Sequence, residues 1–153
     1  MENRFLFRAK RIDTGEWVEG MPFEIEGKTM MLLQDNENLL RTHYLDENMW
    51  NSEIYCVEVD PSTICQCADL KDDDEILIFE NDVLFLKEEI NGCEWKAVVK
   101  FGNPNAEYTW GWQLVPITEC DANKDIFLWV GTELKYMHCE IIGNKFDNPE
   151  LLK

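Results

Sequence analysis

The tract LKDDDEILIFENDVL, residues 70–84, gathers the side chains best suited to chemistry in this 153-residue chain. Asp72, Asp73, Asp74 and Glu75 stand in a row, and Glu80 and Asp82 follow an apolar run. Such carboxylates suit three tasks: holding a hard cation, assembling a two-metal nuclease site, or bonding backbone N–H groups in a turn. A helical calcium loop needs acids at alternating positions, Gly at the sixth and Glu at the twelfth. Counted from Asp69, the sixth residue is Asp74 and the twelfth is Glu80, so the glycine is missing. Adjacent residues of extended backbone also point to opposite faces, which keeps the row from converging on one ion. A two-metal set would be Asp72, Glu80 and Asp82, but among 31 acids chance clusters are expected. The row Asp72-Asp73-Asp74 reads instead as the tip of a loop, its short carboxylates bonded to nearby N–H groups.

Other reactive side chains are few. The histidines are His43 and His138. Cys139 adjoins His138, but neighbours in a strand face opposite ways, so Cys139 reads as a buried structural thiol rather than a nucleophile with its base. Cys65 and Cys67 share one face of an extended segment and with His43 or His138 would complete a zinc set, yet no paired CxxC knuckle is present. Gly102-Asn103-Pro104 lacks the lysine and following helix of a phosphate loop. Trp110-Gly111-Trp112 is the most suggestive motif. Side chains at i and i+2 share one sheet face, and Gly111 leaves the other open to a partner backbone. Two rings there either fill the core or leave an aromatic patch for a basic or proline-rich peptide. The candidate partner-binding residues are therefore Trp110, Trp112, Asp72, Asp73 and Asp74. No catalytic, metal or cofactor residue is assigned.

The elements that must position these groups read as strands. FLFRAKRI (5–12) turns at Asp13-Thr14-Gly15 into EWVEGMPFEI (16–25), and Glu26-Gly27-Lys28 makes a second turn. KTMMLLQ (28–34) and NLLRTHYL (38–45) flank a third, Asp35-Asn36-Glu37, and IYCVEV (54–59) alternates as a half-buried strand does. Asp60-Pro61-Ser62-Thr63 breaks the pattern and marks a junction between residues 1–60 and 61–153. Beyond it come EILIF (75–79), DVLFLKEEI (82–90), the hairpin turn Asn91-Gly92, CEWKAVVKF (93–101) and YTWGWQLVPI (108–117). The first part of DIFLWVGTELKYM (125–137) suits a strand and TELKYM a helical turn or two. CEIIGNKF (139–146) is a last strand and NPELLK a short terminal helix with Pro in its first turn. About ten short strands with closely spaced turns make an all-β sandwich or barrel with minor helix.

Composition narrows the function classes. The hydrophobic fraction of 45% is that of a globular chain, not a disordered one. Acids outnumber bases 31 to 14, so a surface at −17 repels phosphates and disfavours direct nucleic-acid binding. No apolar run is long enough to span a bilayer, and the N-terminus lacks a signal-peptide core. A cytoplasmic protein with six reduced cysteines is expected.

Four stretches carry a resemblance: FRAKRIDTGEWVEG (7–20), VDPSTICQCADLKD (59–72), IFENDVL (78–84) and CEIIGNKFDNPELL (139–152). They resemble the YopX family of phage and prophage proteins, over the whole chain. This chain departs from the family pattern at Asn81, where a Gly is usual, and at Asp73, Asp74 and Glu75, where the family loop commonly holds a Gly. Asn tolerates positive φ, so the turn at Asn81 can survive. The resemblance implies a C-terminal half similar to an SH3-like barrel, packed with an N-terminal β-meander, in a host bacterial cytosol. It supplies no reaction. The expected role is a non-catalytic adaptor module, without cofactor, that binds a host or phage protein and forms a homo-oligomer. The alternatives are an acidic nucleic-acid mimic, built on the seven acids of residues 69–82, and a metal-dependent enzyme.

Overall fold

A computed structural model describes residues 5–33, 40–46, 49–54, 56–106, 110–118, 121–130 and 136–153, with backbone alone over 40–46 and 49–54. The turn read at Asp35-Asn36-Glu37, the stretch 131–135 of the helical reading, and Tyr108 and Thr109 lie outside the described residues. The fold is all-β, and among the described residues its helical content is three 3₁₀ turns. Among the described residues no helix is long and apolar enough to cross a membrane. The described chain divides into two compact units, Phe5–Gln66 and Cys67–Lys153.

The first unit is a meander of β1 (Phe7–Lys10), β2 (Trp17–Ile25) and β3 (Lys28–Leu33), joined by β6 (Cys56–Glu58), with β4 (Leu40–Asp46) and β5 (Met49–Ile54) forming their own hairpin. Ile25 faces Lys28 across a two-residue loop whose members, Glu26 and Gly27, have φ of 50° and 76°. That double positive φ is the type I′ geometry whose twist matches a hairpin, and Gly27 reaches it without a Cβ penalty. The run after β6 bonds to both ends of the meander. Val59 donates its N–H to Thr29 O (2.9 Å), Asp60 to Lys10 O (2.8 Å), and Glu58 O accepts from Ile12 (3.1 Å). These bonds close β1, β2, β3 and β6 into a ring around fully buried Ala9, Met31 and Val59. The break at Asp60-Pro61-Ser62-Thr63 is a 3₁₀ turn, Pro61–Thr63, with the Asp60 carboxylate accepting from Ser62 N–H at 2.9 Å. Immediately after it β7 (Cys65–Lys71) begins, and Cys65 and Gln66 pair with β1.

The second unit holds the rest of β7, then β8 (Leu77–Phe79), β9 (Asp82–Glu88), β10 (Cys93–Gly102), β11 (Gly111–Pro116) and β12 (Met137–Asn144). The last four make an antiparallel sheet in the order β11-β10-β9-β12. Val83, Leu84 and Leu86 of β9 are fully buried because neighbours flank that strand on both sides. The β9–β10 loop is four residues, 89–92, two longer than Asn91-Gly92 alone, since Glu88 faces Cys93. Trp95 and Trp129 meet edge to face at 5.3 Å in the core. The segment read as a strand at 125–130 is a 3₁₀ turn, Ile126–Leu128, instead. Asp125 caps it by accepting from Phe127 N–H (3.0 Å). Ile126, Trp129 and Val130 face inward, while Phe127 and Leu128 are exposed. That is helical spacing, not alternation. The terminal Pro149–Leu152 turn is present as read.

Candidate functional site

The acidic tract is a structural knot. Asp72 N–H donates to Ile76 O (3.0 Å), and Glu75 N–H to Asp72 O (3.1 Å), with Glu75 at φ 64°. The Asp72 carboxylate is buried. Its Oδ1 accepts from the N–H groups of Asp74 (3.0 Å) and Ile76 (2.9 Å), as the sequence suggested for a loop tip. Its Oδ2 reaches across to accept from Ile141 N–H of β12 at 3.2 Å. Asp73 extends the same contact: its N–H donates to Cys139 O (2.9 Å), and its Oδ2 accepts from Cys139 N–H (3.1 Å). β12 is the edge strand of the four-stranded sheet. An uncovered edge invites pairing with another chain, and covering it with a loop and inward carboxylates prevents that. Sequence reading found the turn but not this partner strand.

His138 stands beside the knot with Nδ1 3.3 Å from Asp73 Oδ2 and Nε2 3.1 Å from Glu89 Oε1. Its neighbour Cys139 points the other way into the core, as alternation requires, so the two do not form a dyad. Burial, followed by the charges of Asp73 and Asp72, pushes the Cys139 thiol up to about 12. The sign follows directly: deprotonation is disfavoured in the folded chain, so native Cys139 is held as a thiol at neutral pH. At pH 8, Ellman's reagent is expected to label native Cys139 more than about 100-fold more slowly than in the urea-unfolded chain, because the thiolate is the nucleophile. Equal rates in the two states, read by peptide mass mapping, would remove the burial argument.

The remaining candidates do not assemble into a reaction centre. Asp82 is buried, and its Oδ2 accepts from Phe79 N–H at 2.8 Å, closing the β8–β9 turn. Asn81 takes φ 69° there, so it keeps the conformation that glycine would supply. Lys100 Nζ bonds Asn81 Oδ1 and lies 3.7 Å from Glu80 Oε1. Cys65 Sγ donates to Thr63 O (3.3 Å), and Cys67 Sγ accepts from Asp69 N–H (3.4 Å). The His43 side chain lies outside the described residues. Among the described residues no three His, Cys, Asp or Glu side chains gather as a metal site.

The aromatic motif divides in two. Trp112 packs half-buried on the core opposite Phe101 of β10, and their rings meet edge to face at 5.1 Å. Trp110 precedes β11 and is 80% exposed. A Cβ placed on Gly102 would lie 3.6 Å from its ring, so the indole rests over that glycine. Phe101, itself 54% exposed, forms its aromatic pair with Trp112. Sequence reading passed over Phe101, although its place at the end of the core-facing alternation Trp95, Ala97, Val99 was the available signal.

Residues 6–153 match the description YopX protein. The chain belongs to the YopX family. No curated protein matches it, and no solved structure does. In this YopX chain the four stretches that carried the resemblance form the β1–β2 hairpin, the 3₁₀ turn with β7, the β8–β9 turn, and β12 with the terminal turn. The second and fourth supply the two sides of the Asp72–β12 contact. The four stretches thus fall on turns and on the edge closure of the second unit.

Proposed function

We propose that this YopX protein is a non-catalytic binding module that grips a basic or proline-rich segment of a host or phage protein on Trp110. The single observation that supports it most is Trp110 itself. An indole 80% in water, resting over Gly102, offers a partner a large rigid apolar face with a polar N–H at its edge. Aromatic platforms recognise extended proline-rich segments and cationic side chains. The charge of −17 raises the local concentration of basic partners. The acids of residues 69–82 lend less to a nucleic-acid mimic than their number suggests, since Asp72 and Asp82 are buried and Asp73 is bonded to β12.

Titrating arginine-containing and proline-rich peptides against tryptophan fluorescence tests the reading. Trp110→Ala is expected to weaken binding by about 2 kcal/mol, roughly 30-fold, as a hot-spot aromatic does. The same change should shift stability by less than about 0.5 kcal/mol, because the ring is outside the core. Peptides that bind wild type and Trp110→Ala equally well, or no binding by either class, would rule the platform out.

A further inference from the structure

The outer face of the first unit carries an apolar stripe that the aromatic platform does not explain. Met21, Phe23 and Ile25 alternate along β2 and are 54%, 38% and 53% exposed. Leu32 and Met30 of β3 stand opposite Met21 and Phe23, half-buried, and widen the stripe to two strands. β1 pairs with β2 only from Trp17 to Gly20. Among the described residues no strand lies on that side of Met21–Ile25, so the β2–β3 hairpin projects as an arm.

Charge is distributed unequally along this arm. At its base Arg8 faces Glu19 and Lys10 faces Trp17, with the two cations 4.8 and 5.4 Å from the Trp17 ring. At its tip stand Glu24, Glu26 and Lys28, the last ion-paired to Glu58 at 3.0 Å. A twofold contact requires a self-complementary patch. With two stripes antiparallel about Phe23, residue 26 of one copy lies level with residue 20 of the other. The Glu26 turn then meets the Arg8 end, while Lys28, which faces Ile25, comes level with Met21 of the other copy. On a chain at −17, which otherwise repels its own kind, apolar centre and opposite ends fit each other here. We infer that two copies of the chain associate through the outward β2–β3 face, stripe on stripe and antiparallel.

Sedimentation equilibrium of the full chain at about 50 μM, a concentration that populates a micromolar dimer, tests this. A mass near twice 18.1 kDa is expected. Phe23→Glu should raise the dimer dissociation constant by more than about 30-fold, as loss of a central aromatic does. Its circular dichroism should stay unchanged, since Phe23 faces outward, and its melting should match that of the wild type diluted to monomer. Glu26→Lys should weaken the dimer about 5-fold, because it sets a cation against the Arg8 end of the other copy. A monomer at that concentration, or a dimer that Phe23→Glu leaves intact, overturns the proposal. A dimer as tight in Glu26→Lys as in wild type overturns the antiparallel arrangement.

Discussion

Asp72→Ala is expected to destabilise the Cys67–Lys153 unit by about 3 kcal/mol, a large share of what holds a domain of this size together. The carboxylate accepts three backbone N–H groups, those of Asp74, Ile76 and Ile141. A hydrogen bond to a charged group contributes about 1.5–3 kcal/mol, and the three are not additive because two of the donors lie in a turn that water can reach. The Ile141 bond matters most, since it ties the turn to a strand 69 residues away. Without it the edge of β12 opens, and aggregation on heating should rise along with the loss of stability. Asp72→Asn keeps one oxygen for Asp74 and Ile76 but sets an amide NH₂ against Ile141 N–H, so roughly half the loss should remain. Asp74→Ala removes the same charge from an exposed position and should change stability by less than about 0.5 kcal/mol. Urea unfolding followed by the fluorescence of buried Trp95 and Trp129 reads all three variants. If Asp72→Ala and Asp74→Ala behave alike, net charge rather than the knot governs this tract.

The same tract shows which signals a sequence carries. An aspartate accepting from residues two and four ahead is local chemistry, and four short acids in a row announce a turn. Which strand the turn seals is a long-range fact, and nothing in residues 70–84 names Ile141. Two strands were missed for related reasons. β7 begins directly after a 3₁₀ turn, and its Asp69 takes φ 57°, where the pairing with β8 slips register, so no clean alternation survives. β5, MWNSEI, holds too few apolar residues for periodicity to register. At 125–130 a continuous apolar run hid inward positions spaced three and four apart, which only the Asp125 cap betrays. Of Trp110 and Trp112, only the second lies within β11, where it pairs with Phe101 across the sheet and packs on the core. β2 poses the opposite difficulty. Its apolar set Met21, Phe23 and Ile25 faces outward, while the inward set includes Gly20 and Pro22, because the ring around Ala9 and Met31 is too tight for large side chains there.

That tightness sets the second large effect: Gly20→Ala should cost the Phe5–Gln66 unit about 3 kcal/mol or more. Gly20 lies between Phe7 on one side and Leu33 on the other. A Cβ there would stand 1.8 Å from the Leu32 carbonyl oxygen and 2.8 Å from its carbon. Both are backbone atoms, so no rotamer change relieves the clash, and β2 must part from β3 at the rung beside fully buried Met31. Gly20 is not among the glycines with positive φ, so alanine suits its backbone conformation. Judged on conformation alone, the substitution should stabilise by a few tenths to about 1 kcal/mol. Gly15→Ala is the converse case, with φ at 72° and open space around the new methyl, and conformation alone sets its cost near 1 kcal/mol. Close approach and backbone angle therefore rank the two variants in opposite order. Hydrogen exchange at Ala9, Met31 and Val59 amides, with denaturant unfolding beside it, decides between them. A Gly20→Ala chain as stable as wild type would mean that the strands stand farther apart than the ring described above allows.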